Sequence, residues 1–351
     1  MHRRGGADTK PAHDDTPTRP GWATWITCIS IALALVALGW TIYSVGLHVL
    51  LHRLAMLGPW LFAIVGIEIL ITGCDAAAIH AFIGKDGKHS YLHVIVAQVA
   101  GRAINVITPF GSLGEVVKIA MLVERVQQAR AVAAVLLYNL FGLEMSLVLI
   151  AVGAPLTTLM HLPHGLRPVL FVAGAAAAGL AVALPLLVHH GMLSSIVGFA
   201  RKLHILSERR VSRWRKKLES VDDRLRDGSE ARQRERLTGF GFMLLSRLLT
   251  WATTALLVYA ARGPTSLGFL AAIVTAGQLL TWLSATVPLG LGVSEGGNYA
   301  LFRLLGADPA AGVTMALGRR VTHIVYAAIG IVLVSVSQTV RRVRRSGQGR
   351  Q

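Results

Sequence analysis

Charged and amide side chains recur within the long apolar segments of this sequence, at depths where a bilayer would hold little water. A charge in hydrocarbon is costly, so each such group should face a partner or a wet cavity and is a candidate for function. The candidate substrate-binding residues are Arg102, Asn105, Pro109, Ser112, Glu115, Lys118, Pro288, Gly290, Gly292, Glu295, Asn298, Arg319 and Arg320. No residue is predicted to be catalytic, and no metal or other cofactor is expected.

The first group of candidates surrounds an interruption in an apolar run. The run reaches Thr108 and Pro109, breaks, and restarts at Ser112. Pro109 would remove a hydrogen bond inside a helix, so the first helix should end near Thr108. Ser112 followed three residues later by Glu115 has the spacing of a capping box, which predicts that a new helix begins there.

The second group surrounds a similar interruption near the other end of the chain. Pro288, Gly290 and Gly292 break the helical pattern, and Ser294 with Glu295 restarts it. Two broken helices, one in each half of a membrane protein, are the best sequence indication of a transport site. The sequence therefore predicts that the two interruptions meet at a shared polar crevice.

The residue types around this predicted crevice suit a lipid headgroup. A helix N-terminus offers free N–H groups and partial positive charge to a phosphate, and Lys118 and Arg102 lie close to the first such terminus in the sequence. Glu115 and Glu295 add negative charge, which suits an amine. We therefore expect a headgroup that carries both a phosphate and an amine.

Structural roles are the alternative for several of these residues. Glu115 and Glu295 would each stabilise the positive end of a helix without binding a ligand. Arg319 or Arg320 would neutralise a glutamate and hold the two halves of the protein together.

Other charged residues at membrane depth are interpreted as structural. Glu68 and Asp75 lie seven residues apart, on one face of a predicted helix. Arg247 and Arg303 are expected to extend towards a headgroup layer, as long basic side chains do.

The composition predicts an all-α, polytopic integral membrane protein. Hydrophobic residues make up 53% of the chain and charged residues 15%, and apolar segments of about 20 residues recur, the length that crosses a bilayer as a helix. We predict about six full spans and two re-entrant broken helices in an inverted repeat, roughly eight to ten hydrophobic helices in all. We predict a disordered cytoplasmic tail over 1–20, a single transmembrane domain over 21–338 and a basic cytoplasmic tail over 339–351. Within the transmembrane domain, the halves 21–190 and 239–338 flank a basic cytoplasmic loop over 191–238.

The net charge of +17 is interpreted as a topology signal. Lys and Arg lie mainly between and after the apolar segments, which places both termini and the basic stretch 201–236 on the cytoplasmic side. That stretch should attach to the anionic cytoplasmic leaflet. No aromatic-basic recognition pattern occurs, so nucleic-acid binding is not expected. Cys28 and Cys74 are isolated within apolar segments and predict neither a disulfide nor a metal site.

Two blocks of residues carry a family resemblance. The first block is Arg102, Asn105, Thr108-Pro109, Gly114-Glu115 and Lys118, and the second is Pro288, Gly290, Gly292, Glu295 and Arg320. Together they resemble the lysylphosphatidylglycerol synthase transmembrane, or flippase-like, family, over about residues 22–336. The resemblance implies a protein of the bacterial inner membrane, similar to the lipid-flipping part of the multiple peptide resistance factor, which moves aminoacylated phosphatidylglycerol between leaflets. The soluble aminoacyl-transferase domain of the synthase has no counterpart in this sequence, so synthase activity is not implied.

The expected function is movement of a polar-headed phospholipid, or of a lipid-linked sugar, between leaflets. Two alternatives stay open: an ion-coupled transporter of a small metabolite, and a non-transporting membrane partner of a lipid-biosynthesis enzyme. Membrane lipids are the expected partners, and the sequence is compatible with a homo-oligomer or a complex with such an enzyme. An enzyme is least expected, because the sequence has no nucleophile elbow, metal-ligand cluster or phosphate-binding loop.

Overall fold

The described part of the protein is helical. The structure is a computed structural model that describes residues 58, 60–84, 89–107, 113–158, 166–189, 230–284, 292–326 and 328, and no strand occurs among them. The helices are α1 (Trp60–Ile83), α2 (Tyr91–Ile107), α3 (Leu113–Leu122), α4 (Gln128–Thr157), α5 (Leu166–His189), α6 (Glu230–Ala260), α7 (Leu267–Ser284), α8 (Val293–Leu304) and α9 (309–326). The predicted all-α class is confirmed.

Five of these helices are long and apolar enough to cross a membrane. They are Trp60–Ile83, Gln128–Thr157, Arg167–Leu186, Arg232–Ala260 and Leu267–Ser284. The predicted polytopic architecture is therefore confirmed. The first predicted span, near residues 22–45, lies outside the described residues, as do Pro109, Ser112, Pro288 and Gly290.

The basic stretch is partly helical. The basic loop predicted over 191–238 was expected to be helical, and its last residues form the first turns of α6, which begins at Glu230. Residues 191–229 lie outside the described part.

Each half of the chain contains the same sequence of helices. In the first half α1 is followed by the pair α2 and α3, and then by the long helix α4. In the second half α6 is followed by the pair α7 and α8, and then by α9. The short helices α3, with 10 residues, and α8, with 12, rise about 15 and 18 Å. Neither reaches across a hydrocarbon core of about 30 Å, as expected for re-entrant helices.

The two halves are inverted relative to each other. Helices α1 and α6 hold equivalent places in the two halves, and they pack side by side in opposite directions. Near the start of α1, Trp60 contacts Tyr259 close to the end of α6, with ring centroids 5.3 Å apart. Further along, Asp75 accepts a hydrogen bond from Ser246, which lies nearer the start of α6. Equivalent helices that run antiparallel are what an inverted repeat requires.

The two larger apolar cores of the described residues lie between different groups of helices. One core lies between α1, α2, α3, α4 and α6, and a second joins α1, α6, α7, α8 and α9. Helix α5 lies at the edge and exposes a row of large apolar side chains: Val169, Phe171, Val172, Leu180, Val182 and Leu186. An apolar surface of this kind is stable against lipid and unfavourable in water.

Candidate functional site

The α2–α3 hairpin is held together by direct backbone contact. A Cβ on Gly101 would lie 2.8 Å from the carbonyl oxygen of Gly114, and a Cβ on Gly114 would collide with the carbonyl of Gly101. Only glycine allows two helices this close an approach. The Gly114 N–H donates to Asn105 Oδ1 at 2.8 Å, so Asn105 satisfies a free amide at the start of α3.

Glu115 joins three helices through its carboxylate. Its Oε1 accepts hydrogen bonds from Asn105 Nδ2 at 3.0 Å and from Lys118 Nζ at 2.8 Å. Its Oε2 accepts one from Asn139 Nδ2 of α4 at 2.9 Å. The side chain of Lys118 is 3% exposed, and its ammonium lies 5.1 Å from the ring centroid of Tyr138. Lys118 is therefore neutralised and packed within the protein.

Arg102 forms a second ion pair, with an acid that the sequence interpretation left as structural. Its Nη2 donates to Glu68 Oε2 at 3.0 Å, and its Nη1 donates to Thr72 Oγ1 at 2.7 Å. The guanidinium also lies 3.9 Å from Asp75 Oδ2 and 4.9 Å from the ring centroid of Tyr326 in α9. Sequence reasoning did not predict this pairing, although the shared face of Glu68 and Asp75 was a signal for it.

Asp75 links the two halves at their antiparallel contact. Besides Arg102, it accepts hydrogen bonds from Gln98 Nε2 of α2 at 3.3 Å and from Ser246 Oγ of α6 at 2.6 Å. Each carboxylate oxygen therefore has a donor, as a buried charge requires.

Glu295 caps the start of α8 and pairs with the last described helix. Its Oε2 accepts a hydrogen bond from the Gly292 N–H at 3.0 Å, and its Oε1 lies 2.6 Å from Arg320 Nη2. The helix begins at Val293 with Gly292 as the N-cap, at φ 76°. We expected the helix to restart at Ser294, but the positive φ of Gly292 turns the chain into the helix earlier.

Asn298 lies one turn further into α8 and is buried. Its Nδ2 donates to the Ser294 carbonyl at 2.7 Å, within the same helix. The amide nitrogen of Asn298 is therefore occupied by a hydrogen bond within α8.

Arg319 of α9 contacts α6 within the second half. Arg319 Nη2 donates to Thr254 Oγ1 of α6 at 3.1 Å. His323 lies one turn later in α9, close enough to Glu68 and Arg102 for their charges to act on it. The polar contacts among the described residues thus form four groups: Glu115 with its partners, Arg102 with its partners, the pair Glu295–Arg320, and Arg319 with Thr254. The contacts that join the two halves are Asp75–Ser246 and Arg102–Tyr326. These groups together are called the polar network.

Nine of the thirteen candidate residues either take part in these polar contacts or lie next to a residue that does. These are Arg102, Asn105, Glu115, Lys118, Gly292, Glu295, Asn298, Arg319 and Arg320. The other four lie outside the described residues: Pro109, Ser112, Pro288 and Gly290. The residues that sequence reasoning did not place in the site are Glu68, Thr72, Asp75, Gln98, Tyr138, Asn139, Ser246, Thr254, His323 and Tyr326. Within the described helices, no group of three or more His, Cys, Asp or Glu residues could hold a metal ion.

Comparison with known proteins identifies the family. The model of the lysylphosphatidylglycerol synthase TM region matches residues 27–330. The chain belongs to this family. The match confirms the resemblance carried by the two sequence blocks, and it extends over both halves of the repeat. No curated protein and no solved structure matches the chain.

Membership in the lysylphosphatidylglycerol synthase TM family makes this an integral membrane protein of a lipid-related family. The matched region is the transmembrane part of the synthase. The helical repeat and the polar network therefore belong to that transmembrane part.

Proposed function

We propose that the protein moves a polar-headed lipid, either a phospholipid or a lipid-linked sugar, between the two leaflets of the bacterial inner membrane. The single observation that supports this most strongly is the polar network, because it places ion pairs at the start of the short helix in each half and because its Arg102 group contacts α6 and α9 of the other half. Charged groups at membrane depth are expected along a substrate path, and inverted repeats with broken helices are typical of alternating access.

In the proposed mechanism the headgroup enters the polar network while the acyl chains stay in lipid. The carboxylates of Glu115 and Glu295 stabilise the starts of α3 and α8, and the ion pairs around them fix the two helix pairs within their own halves. Rocking of one half against the other along α1 and α6 would expose the headgroup to each leaflet in turn. The protein acts on its lipid by binding and release, without a covalent step.

The proposed orientation follows the charge distribution. Both termini lie in the cytoplasm, and the basic stretch 201–236 lies against the anionic cytoplasmic leaflet. The partners are membrane lipids.

A reconstitution assay tests this function directly. The purified full chain is placed in liposomes that contain phospholipids labelled with a fluorophore on an acyl chain, and a membrane-impermeant reductant bleaches the outer leaflet. Protein-free liposomes should lose about half of the fluorescence, because each leaflet holds about half of the lipid. Proteoliposomes should lose more, as inner-leaflet lipid becomes accessible.

Two controls make the result specific. A trapped soluble fluorophore must stay unbleached, which excludes leakage of the reductant. The variant Gly114→Ala, which should push α2 and α3 apart, must move less lipid than Gly277→Ala, whose added methyl meets nothing within 4 Å. Bleaching that stays at the protein-free level for every phospholipid and lipid-linked sugar tested would overturn the proposal.

A further inference from the structure

Arg319 differs from the other cations of the polar network in what neutralises it. Three of those cations each contact a carboxylate within 3.0 Å, as the pairs Arg102–Glu68, Lys118–Glu115 and Arg320–Glu295. Arg319 donates instead to the neutral hydroxyl of Thr254. Among the described residues, no carboxylate oxygen lies within 4.0 Å of its guanidinium.

The charge of Arg319 is therefore incompletely compensated. Glu68 is the acid whose charge acts on it, but the Glu68 carboxylate is in direct contact with Arg102. A guanidinium carries five N–H donors, and the described contacts of Arg319 use one of them. Arg319 is half-buried, and a cation partly removed from water without a direct counter-ion is unfavourable, so the arrangement favours an anion at this place.

One neighbour of Arg319 adds a further hydrogen-bond donor. His323 lies four residues later, on the same face of α9, and it is close to Arg320 and Arg102 as well as to Arg319. Planar guanidinium groups bind phosphate through two parallel hydrogen bonds. Arg319 and His323 therefore present donors on one face of α9, and Arg319 lies against α6.

The internal repeat shows that this cation belongs to the second half alone. Counted from the first residues of α4 and α9, Tyr138 and Arg319 occupy the same position, and Asn139 and Arg320 occupy the next. Asn139 and Arg320 have equivalent contacts, since each binds the glutamate of its own half. Where the first half has the uncharged Tyr138, the second half has Arg319.

No described carboxylate of the network is left for an amine. Those of Glu115 and Glu295 each contact a cation, and those of Glu68 and Asp75 contact Arg102. Glu144 is a further acid in α4, but it lies two residues from Gly142, hence about 200° around the helix from the face that Arg247 contacts. The headgroup that fits is one whose charge is its phosphate.

We propose that Arg319, together with His323, binds the phosphodiester of an anionic phospholipid without an amine in its headgroup. This inference rests on the proposed function and names its substrate class. Arg102, Lys118 and Arg320 then serve mainly to hold the helix pairs in place through their ion pairs. The expectation of a headgroup with both a phosphate and an amine is replaced by that of a headgroup with a net negative charge.

The test measures binding to the purified full chain in a neutral detergent. The probes are short-chain phosphatidylglycerol, phosphatidylethanolamine and phosphatidylcholine, and inorganic phosphate. The wild-type chain should bind phosphatidylglycerol at least tenfold more tightly than the two zwitterionic lipids and than inorganic phosphate. Arg319→Gln should weaken phosphatidylglycerol binding at least tenfold, and Arg319→Lys should weaken it less, because it keeps the charge and loses the paired donors.

Two further variants locate the site. Arg303→Gln, at an exposed position near the end of α8, should bind like the wild type. Arg247 also has no described carboxylate within 4.0 Å, and its Nη2 lies against Gly142. Arg247→Gln should keep phosphatidylglycerol binding, so a loss there with none in Arg319→Gln would overturn the assignment.

Stability separates a binding role from a structural one. In the absence of lipid, Arg319→Gln should unfold at the same temperature as the wild type or higher, because it removes a poorly compensated charge. Arg320→Gln should unfold at a lower temperature, because it breaks a direct ion pair. A large loss of unligated stability in Arg319→Gln would overturn the inference, as would equal binding of the three lipids or of inorganic phosphate.

The transport assay keeps the two proposals apart. Movement of phosphatidylglycerol that is unchanged in Arg319→Gln would sustain the proposed function and overturn the assignment of Arg319. Wild-type protein that binds phosphatidylglycerol through Arg319 but moves no lipid would sustain the binding site and overturn the proposed function.

Discussion

Glu115 and Glu295 are equivalent residues of the internal repeat. Each is the third residue of the short helix that follows a break, α3 in the first half and α8 in the second. Each also contacts a residue in the same position of the next helix, Asn139 in α4 and Arg320 in α9. In both halves a glutamate thus joins the short helix to the following long helix. Its partner is a neutral amide in the first half and a cation in the second.

The pair Arg320–Glu295 should contribute to stability through its direct contact. Glu295→Gln keeps a cap acceptor for the Gly292 N–H but removes the charge that faces Arg320. We expect Glu295→Gln and Arg320→Gln each to lower the free energy of unfolding by about 1–3 kcal/mol, and the double variant to lose less than the sum. Thermal and chemical unfolding in detergent measure this. Strictly additive losses would contradict a direct interaction between the two side chains.

The α2–α3 contact should tolerate no side chain at Gly114. Gly114→Ala places a methyl group against the Gly101 carbonyl and Asn105 Oδ1, and we expect a loss of about 1–3 kcal/mol, typical of overpacking. Gly277→Ala in α7 is the matched control. Its methyl meets no atom within 4 Å, so it should stabilise the helix by about 0.5–1 kcal/mol. Equal unfolding temperatures for the two variants would show that α2 and α3 are not in contact.

Gly292 should be required for its backbone conformation. Its φ of 76° disfavours any residue with a side chain, so Gly292→Ala should cost about 1–2 kcal/mol although the added methyl has space. Gly296→Ala, one turn later in α8 and also in open space, should be neutral or stabilising. The unfolding temperatures of the two variants decide this, and a stable Gly292→Ala would mean that the chain enters α8 with a negative φ.

Arg102 and Glu68 should be energetically coupled across α1 and α2. Glu68→Gln leaves the guanidinium with Asp75 at 3.9 Å as its remaining described acid, so part of the electrostatic stabilisation persists. We expect Glu68→Gln to lose about 1–2 kcal/mol and Arg102→Gln more, with a coupling of about 1 kcal/mol or above in the double-variant cycle. Urea unfolding of the four proteins gives the coupling, and a value near zero would contradict the pairing.

The local features of the sequence were sufficient for the fold class and for much of the candidate site. Hydropathy and segment length predict spanning helices because a bilayer accepts only apolar segments that satisfy their own backbone. A charged residue at membrane depth can be recognised from one segment alone, which is how Arg102, Glu115, Glu295 and Arg320 were found. The glycine and proline breaks likewise predict where helices end.

The partners of those charges were decided by the tertiary structure. Glu68 and Arg102 are 34 residues apart in sequence, and Asp75 and Ser246 are 171 apart, so no local pattern relates them. Their contacts depend on α1 packing antiparallel to α6 and on α2 packing beside α1. The sequence by itself therefore determined which residues carry charge into the membrane. Only the packing of the helices decided which charges neutralise one another, because neutralisation depends on distances of a few ångströms between separate segments. The same packing leaves Arg319 without a described carboxylate within 4.0 Å.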